Sequence, residues 1–322
     1  MILTVTLNPL LERRISFKNI VSGNQNRNGN LEIKAGGKGI NVSRQLNNLG
    51  IENLALTFAG GFSGKEFKDV INAEKIKSVL IRTESPTREG LIFIDKSTPS
   101  ITTCFAVNSE ITPKEAEEFR IKLEKMIPNY EMIILSGSSP CRETDSIFPS
   151  AIEWGIKHDK VVICDTYGKF LNDCIDAGPT ILHNNVDEIK NSLGLHYETE
   201  EGKVNFLSTL YNKKILQAYI TDGEKPFYAS DFDFHFRVDS PKVNTIDATG
   251  SGDAFVAGIA YGWIKERIYV DILKTAVSLG AANAASFDVC NVNLSDIEPL
   301  IDSVIITSVG KKMKLLDTTP TN

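Results

Sequence analysis

A chain of 322 residues with 42% hydrophobic and 24% charged residues has the balance of a globular protein and enough length for one large core or two smaller ones. A formal net charge of -6 and a pI near 5.4 argue against nucleic acid or any other polyanion as partner. Cys104, Cys141, Cys164, Cys174 and Cys290 are scattered without a CxxC pair, and His158, His183, His196 and His235 lack ligand spacing. Reduced thiols fit this pattern better than disulfides or structural zinc.

Residues 1–7 are apolar but short, lack a basic lead and stop at Asn8-Pro9, which reads as a first strand and not a signal peptide. No run reaches the length of a membrane span, so a cytoplasmic protein with no membrane partner is expected. Glu12 follows the first strand's end, where ligands sit in open α/β sheets; it is either a binding acid or a solvated loop acid. Residues 13–31, rich in Asn, Gly, Ser and Arg with Ile15, Phe17 and Ile20 interspersed, predict a short strand and a loop outside the main sheet. Ala35-Gly36-Gly37-Lys38-Gly39-Ile40-Asn41 then turns into a helix whose face is marked by Val42, Leu46 and Leu49 and which stops at Gly50. The glycines allow close ligand approach, Lys38 adds a point charge, and Asn41 projects from the first turn. The stretch has neither P-loop order nor GxGxxG spacing.

A strand at 53–58 and a helix at 64–73 begin a β–α alternation. Two β-rich runs at 91–94 and 101–107, with a turn and no helix between them, predict an antiparallel hairpin. Paired with residues 13–33, the hairpin would form a small sheet beside the main domain, a lid. Alternation resumes with a helix at 113–126 and a strand at 132–135 that ends in Ser136-Gly137-Ser138. A helix near 147–158 leads to a strand at 160–164 ending in Asp165-Thr166. Residues 181–182 run into His183-Asn184-Asn185, a helix opens at Asp187-Glu188, and a strand at 218–220 ends in Thr221-Asp222-Gly223. Polar and glycine residues cluster where strands end, as a ligand-binding rim requires. A β meander at 227–238, helices about 270–286 and 294–303, and a disordered tail after Leu316 complete the expectation. No repeat, linker or boundary divides the chain.

Between meander and helices lies Asp247-Ala248-Thr249-Gly250-Ser251-Gly252-Asp253-Ala254-Phe255. A glycine turn feeding a buried helix aims free N–H groups and the positive dipole end at an anion such as phosphate. Asp253 would weaken such a site. It therefore either caps the helix or serves as general base towards a hydroxyl attacking the bound phosphate.

The 35–60 stretch, with Gly36, Gly37, Asn41, Ser43, Gly50 and Gly60, resembles the first signature of the PfkB/ribokinase family, and residues 247–258 resemble its second. Thr4-Val5-Thr6-Leu7-Asn8-Pro9, Thr87-Arg88 and Ser136-Gly137-Ser138 look more narrowly like its 1-phosphofructokinase and tagatose-6-phosphate kinase branch. The resemblance implies a single ribokinase-like domain over 1–322, a three-layer α/β/α sandwich with a β lid from segments about 11–34 and 87–108. It implies ATP and Mg²⁺ as cofactors and phosphoryl transfer to a sugar-phosphate hydroxyl. Asp253 would be the base, with the amides of Gly250, Ser251 and Gly252 as anion hole. Arg27, Lys38 and Arg88 would clamp the acceptor's phosphate, and Glu12, Gly36, Gly37, Asn41 and Ser138 would hold the rest of the substrate. Asn185 and Glu188 would arrange Mg²⁺ through water, although Glu188 also suits a first helical turn. Thr221, Gly223 and Asn283 would border the nucleotide. A homodimer through paired lids is a further implication.

Several residues depart from the branch. Glu12 stands where Asp is usual, His183-Asn184-Asn185 where Lys-Pro-Asn is usual, and Asp247-Ala248-Thr249 is closer to the ribokinase side. The usual Asn-Glu-Pro-Gly of the lid is missing near Asn108, and the second glycine of the nucleotide strand is missing at Glu224-Lys225-Pro226. Fructose 1-phosphate leads tagatose 6-phosphate as the expected acceptor. The alternatives are a family kinase of a free sugar or nucleoside, and a catalytically silent sugar-phosphate sensor.

Overall fold

The computed structural model describes residues 1–98, 100–196 and 199–310. The expected tail after Leu316 lies outside them. In chain order the strands are β1 (Ile2–Thr6), β2 (Leu10–Phe17), β3 (Asn30–Gly36), β4 (Asn53–Gly60), β5 (Ser78–Thr83), β6 (Glu89–Asp95) and β7 (Ser100–Phe105). There follow β8 (Met132–Ser136), β9 (Val161–Asp165), β10 (Ile181–Asn185), β11 (Gln217–Thr221), β12 (Phe227–Asp231), β13 (Phe234–Asp239) and β14 (Ile305–Val309).

A 10-stranded sheet runs in the order β14-β13-β12-β11-β10-β9-β8-β1-β4-β5. From β5 to β11 neighbours are parallel, and β12 to β14 add antiparallel pairs. The parallel strands are continuous apolar runs because both faces are covered. Alternation divides their side chains between two cores. Ile2, Ile134 and Ile163 face the helices Lys38–Asn48, Ser251–Ile264 and Tyr269–Ala284. Leu3, Ile133 and Cys164 face the helices Pro113–Met126, Ile147–Lys157 and Glu200–Asn212. The result is the expected helix–sheet–helix sandwich.

Strand order reverses between β1 and β8, since β4 and β5 continue beyond β1 while β9 to β11 continue beyond β8. The crevice outside the carboxyl ends of strands at such a point is where open α/β sheets bind ligands.

The hairpin and the early segment form a separate 4-stranded sheet, β3-β2-β6-β7. Here β6 and β7 are antiparallel as expected, and β2 lies parallel to β6. Leu11 and Ala35 anchor this sheet in a third core with Ile40, Phe67 and Ile71. Sequence reading missed β5, β14 and the helices Leu171–Asp176 and Glu200–Asn212. The strand β14 lies at the sheet's edge with no residue fully buried, although Ile305, Ile306 and Val309 give it a β-rich sequence.

Candidate active site

Asp253 lies in the first turn of the helix Ser251–Ile264 and is 4% exposed. Its Oδ2 accepts a hydrogen bond from Asn41 Nδ2 at 2.8 Å. Burial pushes the Asp253 pKa up to about 7; Lys38 and the Asn41 bond oppose the rise, while Asp165 and Glu188 add to it. A carboxylate poised there can take up and release a proton near neutrality.

The loop before it ends in a helix N-terminus that no side chain caps. Gly250 is the N-cap residue with φ 78. A side chain at Gly250 would also collide with Val289. Ser251 N–H donates to Ala248 O at 3.1 Å. No hydrogen bond engages the N–H of Gly250 or Gly252 among the described residues. Asn283 fixes this geometry by donating to Thr249 O at 2.8 Å and Ser251 Oγ at 3.1 Å and accepting from Cys290 N at 2.7 Å. It is 1% exposed. Its amide therefore holds the loop.

A charged network faces Asp253. Lys38, the first residue of its helix, donates to Asp165 Oδ1 at 3.1 Å and Glu188 Oε1 at 2.7 Å. Burial penalises the Lys38 charge, but Asp165, Glu188 and Asp253 outweigh that penalty and raise its pKa. Lys38 is therefore the counter-charge of the carboxylates. Asp165 ends β9, shares a 2.9 Å hydrogen bond with His183 Nδ1, and leaves Oδ2 buried without a partner. His183 Nε2 meets Thr221 Oγ1 at 3.3 Å. Sequence reading had placed Asp165 and His183 on the rim without a task.

Asn185 and Glu188 form a capping box on the helix Val186–Leu193, with Glu188 N to Asn185 Oδ1 at 2.8 Å and Asn185 N to Glu188 Oε2 at 3.1 Å. The helix-turn alternative for Glu188 is thus realised. Gly223, with φ 58, borders open space.

On the other side of the crevice Asn8 Nδ2 bonds Ser138 Oγ at 3.1 Å, tying the chain after β1 to the chain after β8. Asn8 also donates to Asn108 Oδ1 at 3.1 Å, as does Arg88 Nη1 at 3.0 Å. The Arg88 guanidinium lies 5.3 Å from the Phe105 ring centre, and burial lowers its pKa. Its Nε is buried without a partner. Glu12 is buried against Gly36, where any side chain would collide with it, and Gly37 takes φ 110 at the entry to the Lys38 helix. Arg27 is the outlier. It lies exposed on the β2–β3 loop, bonds Gln25 Oε1 at 2.6 Å, and joins neither Lys38 nor Arg88.

Residues 10–296 match the profile of the pfkB family carbohydrate kinase domain. The chain belongs to the pfkB family of carbohydrate kinases. This pfkB kinase is 27% identical over 310 residues to the 1-phosphofructokinase of Borreliella burgdorferi, covering 96% of this chain and 99% of the relative. It is 26% identical over 313 residues to a tagatose-6-phosphate kinase of Staphylococcus epidermidis, covering 96% and 100%. A solved chain from Thermotoga maritima superposes with TM-score 0.88 at 22% identity, covering 96% of this chain and 100% of that one. Phosphofructokinase-2 from Escherichia coli in complex with fructose-6-phosphate gives TM-score 0.82 at 19% identity, covering 94% and 98%. These two likenesses bear on the fold of the pfkB kinase alone. No described helix is long and apolar enough to cross a membrane.

Proposed function

We propose that this enzyme transfers the γ-phosphoryl group of ATP to a hydroxyl of a ketohexose phosphate, fructose 1-phosphate ahead of tagatose 6-phosphate. The observation that carries this reading is Asp253, buried with a pKa raised to about 7, one residue beyond the uncapped loop of Gly250 and Gly252. Asp253 takes the proton of the attacking hydroxyl, and the Gly250 and Gly252 amides face the charge developing on the phosphoryl group. Asn41 keeps the carboxylate aimed.

Arg88 supports an acceptor that already carries phosphate. Among the described residues no carboxylate pairs with it, and a half-buried guanidinium with an orphaned N–H suits an incoming dianion. Glu12, Asn8 and Ser138 border the same crevice and suit hydroxyls.

Among the described residues no three acidic, histidine or cysteine side chains gather as a ready-made metal site, so the support for Mg²⁺ is that Asp165, Glu188 and Asp253 outnumber Lys38 and that Asp165 Oδ2 is orphaned. Asp165 would hold the ion together with Glu188 and Asn185, the latter two through water because Lys38 and the capping box occupy their oxygens. Bound with ATP, the ion would neutralise charge on the phosphates. The four-stranded sheet serves as lid, and exposed Leu31 and Leu91, which share one face of it, support a homodimer through that face. Sedimentation at a monomer mass would contradict that dimer.

A panel of sugars and sugar phosphates with coupled ADP detection tests the reaction. Fructose 1-phosphate or tagatose 6-phosphate should exceed every unphosphorylated sugar and nucleoside in kcat/KM; preference for a free sugar would defeat the reading.

A further inference from the structure

Glu12 and Asp247 lie 235 residues apart in the chain and meet at a residue that carries no motif. Arg14, on β2 two residues beyond Glu12, is 2% exposed. Its Nη1 donates to Glu12 Oε2 at 3.3 Å, and its Nη2 donates to Asp247 Oδ2 at 3.1 Å and Phe287 O at 3.1 Å. The other oxygen of Asp247 accepts from Thr249 N at 2.9 Å, at the start of the glycine loop. A buried guanidinium between two carboxylates is costly to desolvate and orders both partners.

A second tie runs in parallel. Lys34 on β3 donates to Asp288 Oδ1 at 2.7 Å. Phe287 and Asp288 lie beside Val289 and Cys290, which press on Gly250: Val289 fills the space a side chain there would need, and Cys290 Sγ donates to Gly250 O at 3.3 Å. Two strands of the small sheet are thus bonded to one short loop, and that loop packs on the N-cap of the Asp253 helix.

We infer that Glu12, Arg14 and Asp247 form a strap by which the small sheet and the acceptor pocket set the position of the glycine loop, with Arg14 as the positioning residue. The strap rests on the proposed kinase reaction and adds a specificity device to it. The longer side chain of Glu12 reaches Arg14, and the acidic start of the loop gives Arg14 its second partner. An acceptor that displaces Glu12 therefore also shifts the loop that carries the anion hole. Glu12 and Asp247 share no hydrogen bond with each other, so the hydrogen-bonded path between them passes through Arg14.

The test is a double-mutant cycle of Glu12→Gln and Asp247→Asn, read as kcat/KM for fructose 1-phosphate and tagatose 6-phosphate, in the Arg14 and Arg14→Met backgrounds. Thermal melts run alongside, and Arg14→Lys serves as the conservative variant should Arg14→Met fail to fold. The expected result is at least about fivefold non-additivity with Arg14 present, carried in kcat more than in KM, and additive effects once Arg14 is replaced. Additive effects in both backgrounds, with an active wild type, overturn the strap alone. A wild type that phosphorylates no sugar phosphate overturns the proposed function, and the strap's catalytic role with it.

Discussion

Asn41 holds Asp253 through a side-chain amide whose orientation is itself fixed. Arg44 Nη1 donates to Asn41 Oδ1 at 2.8 Å, which leaves Nδ2 as the atom that reaches Asp253 Oδ2 at 2.8 Å. Arg44 is held in turn by Glu74 through Nε at 2.9 Å and by Ala35 O. Arg44→Met should free the amide to turn and lower kcat by about tenfold, within the range for a misdirected proton acceptor. Steady-state kinetics with unchanged kcat would show that the amide needs no such support.

Under the proposed mechanism only ionised Asp253 can accept the hydroxyl's proton, so kcat/KM should rise with pH and reach half its plateau near the value of about 7 held by the buried carboxylate. The Asn41 bond lowers that pKa. Asn41→Ala should therefore move the acid limb to higher pH, and a limb that stays or moves down would contradict the assignment.

The same titration has a stability counterpart. Native Asp253 binds its proton more tightly than the unfolded chain does, so its contribution to stability falls as pH rises from about 4 through about 7. Asp253→Asn should melt above the wild type at pH 8, with the gap closing towards pH 4. Parallel melting curves across that range would refute the buried, raised carboxylate.

Lys38 balances Asp165 and Glu188, and its removal leaves buried carboxylates uncompensated. Lys38→Met should cost about 3 kcal/mol, the scale for breaking a buried pair. It should also raise the Asp253 pKa, which Lys38 lowers. Denaturant titration and the acid limb of the rate profile read the two effects separately.

Gly250→Ala imposes a left-handed backbone on a side chain and drives that side chain into Val289. The conformational part alone is on the order of 1–2 kcal/mol. Activity should fall further than stability, since the anion hole moves with Gly250; a variant with wild-type kcat would rule out a fixed loop.

What could be read from the sequence was local. Asp253, Asn41 and the glycines around Gly36 and Gly250 sit in short stretches where turn, helix start and polar residue adjoin, and the structure brings Asn41 to Asp253. The ligand rim was legible because strands end in polar residues such as Asp165 and Thr221. Partners were not legible. That Lys38 faces Asp165, or that Arg14 joins Glu12 to Asp247, depends on where distant strands close, and a single arginine in an amphipathic strand carries no signal of burial. Arg27 lies exposed on the β2–β3 loop, a placement its residue type did not reveal. The helix Glu200–Asn212 shows only a short buried stripe, Phe206, Leu207 and Leu210, whereas the β-branched run of β14 was legible and went unassigned.

The most direct measurement compares Asp253→Asn with the wild type in turnover and in binding of sugar phosphate and ATP. Loss of the base should lower kcat by about a thousandfold while affinity for both ligands changes by no more than about threefold. Turnover within a few-fold of wild type would place the proton acceptor elsewhere and contradict the account.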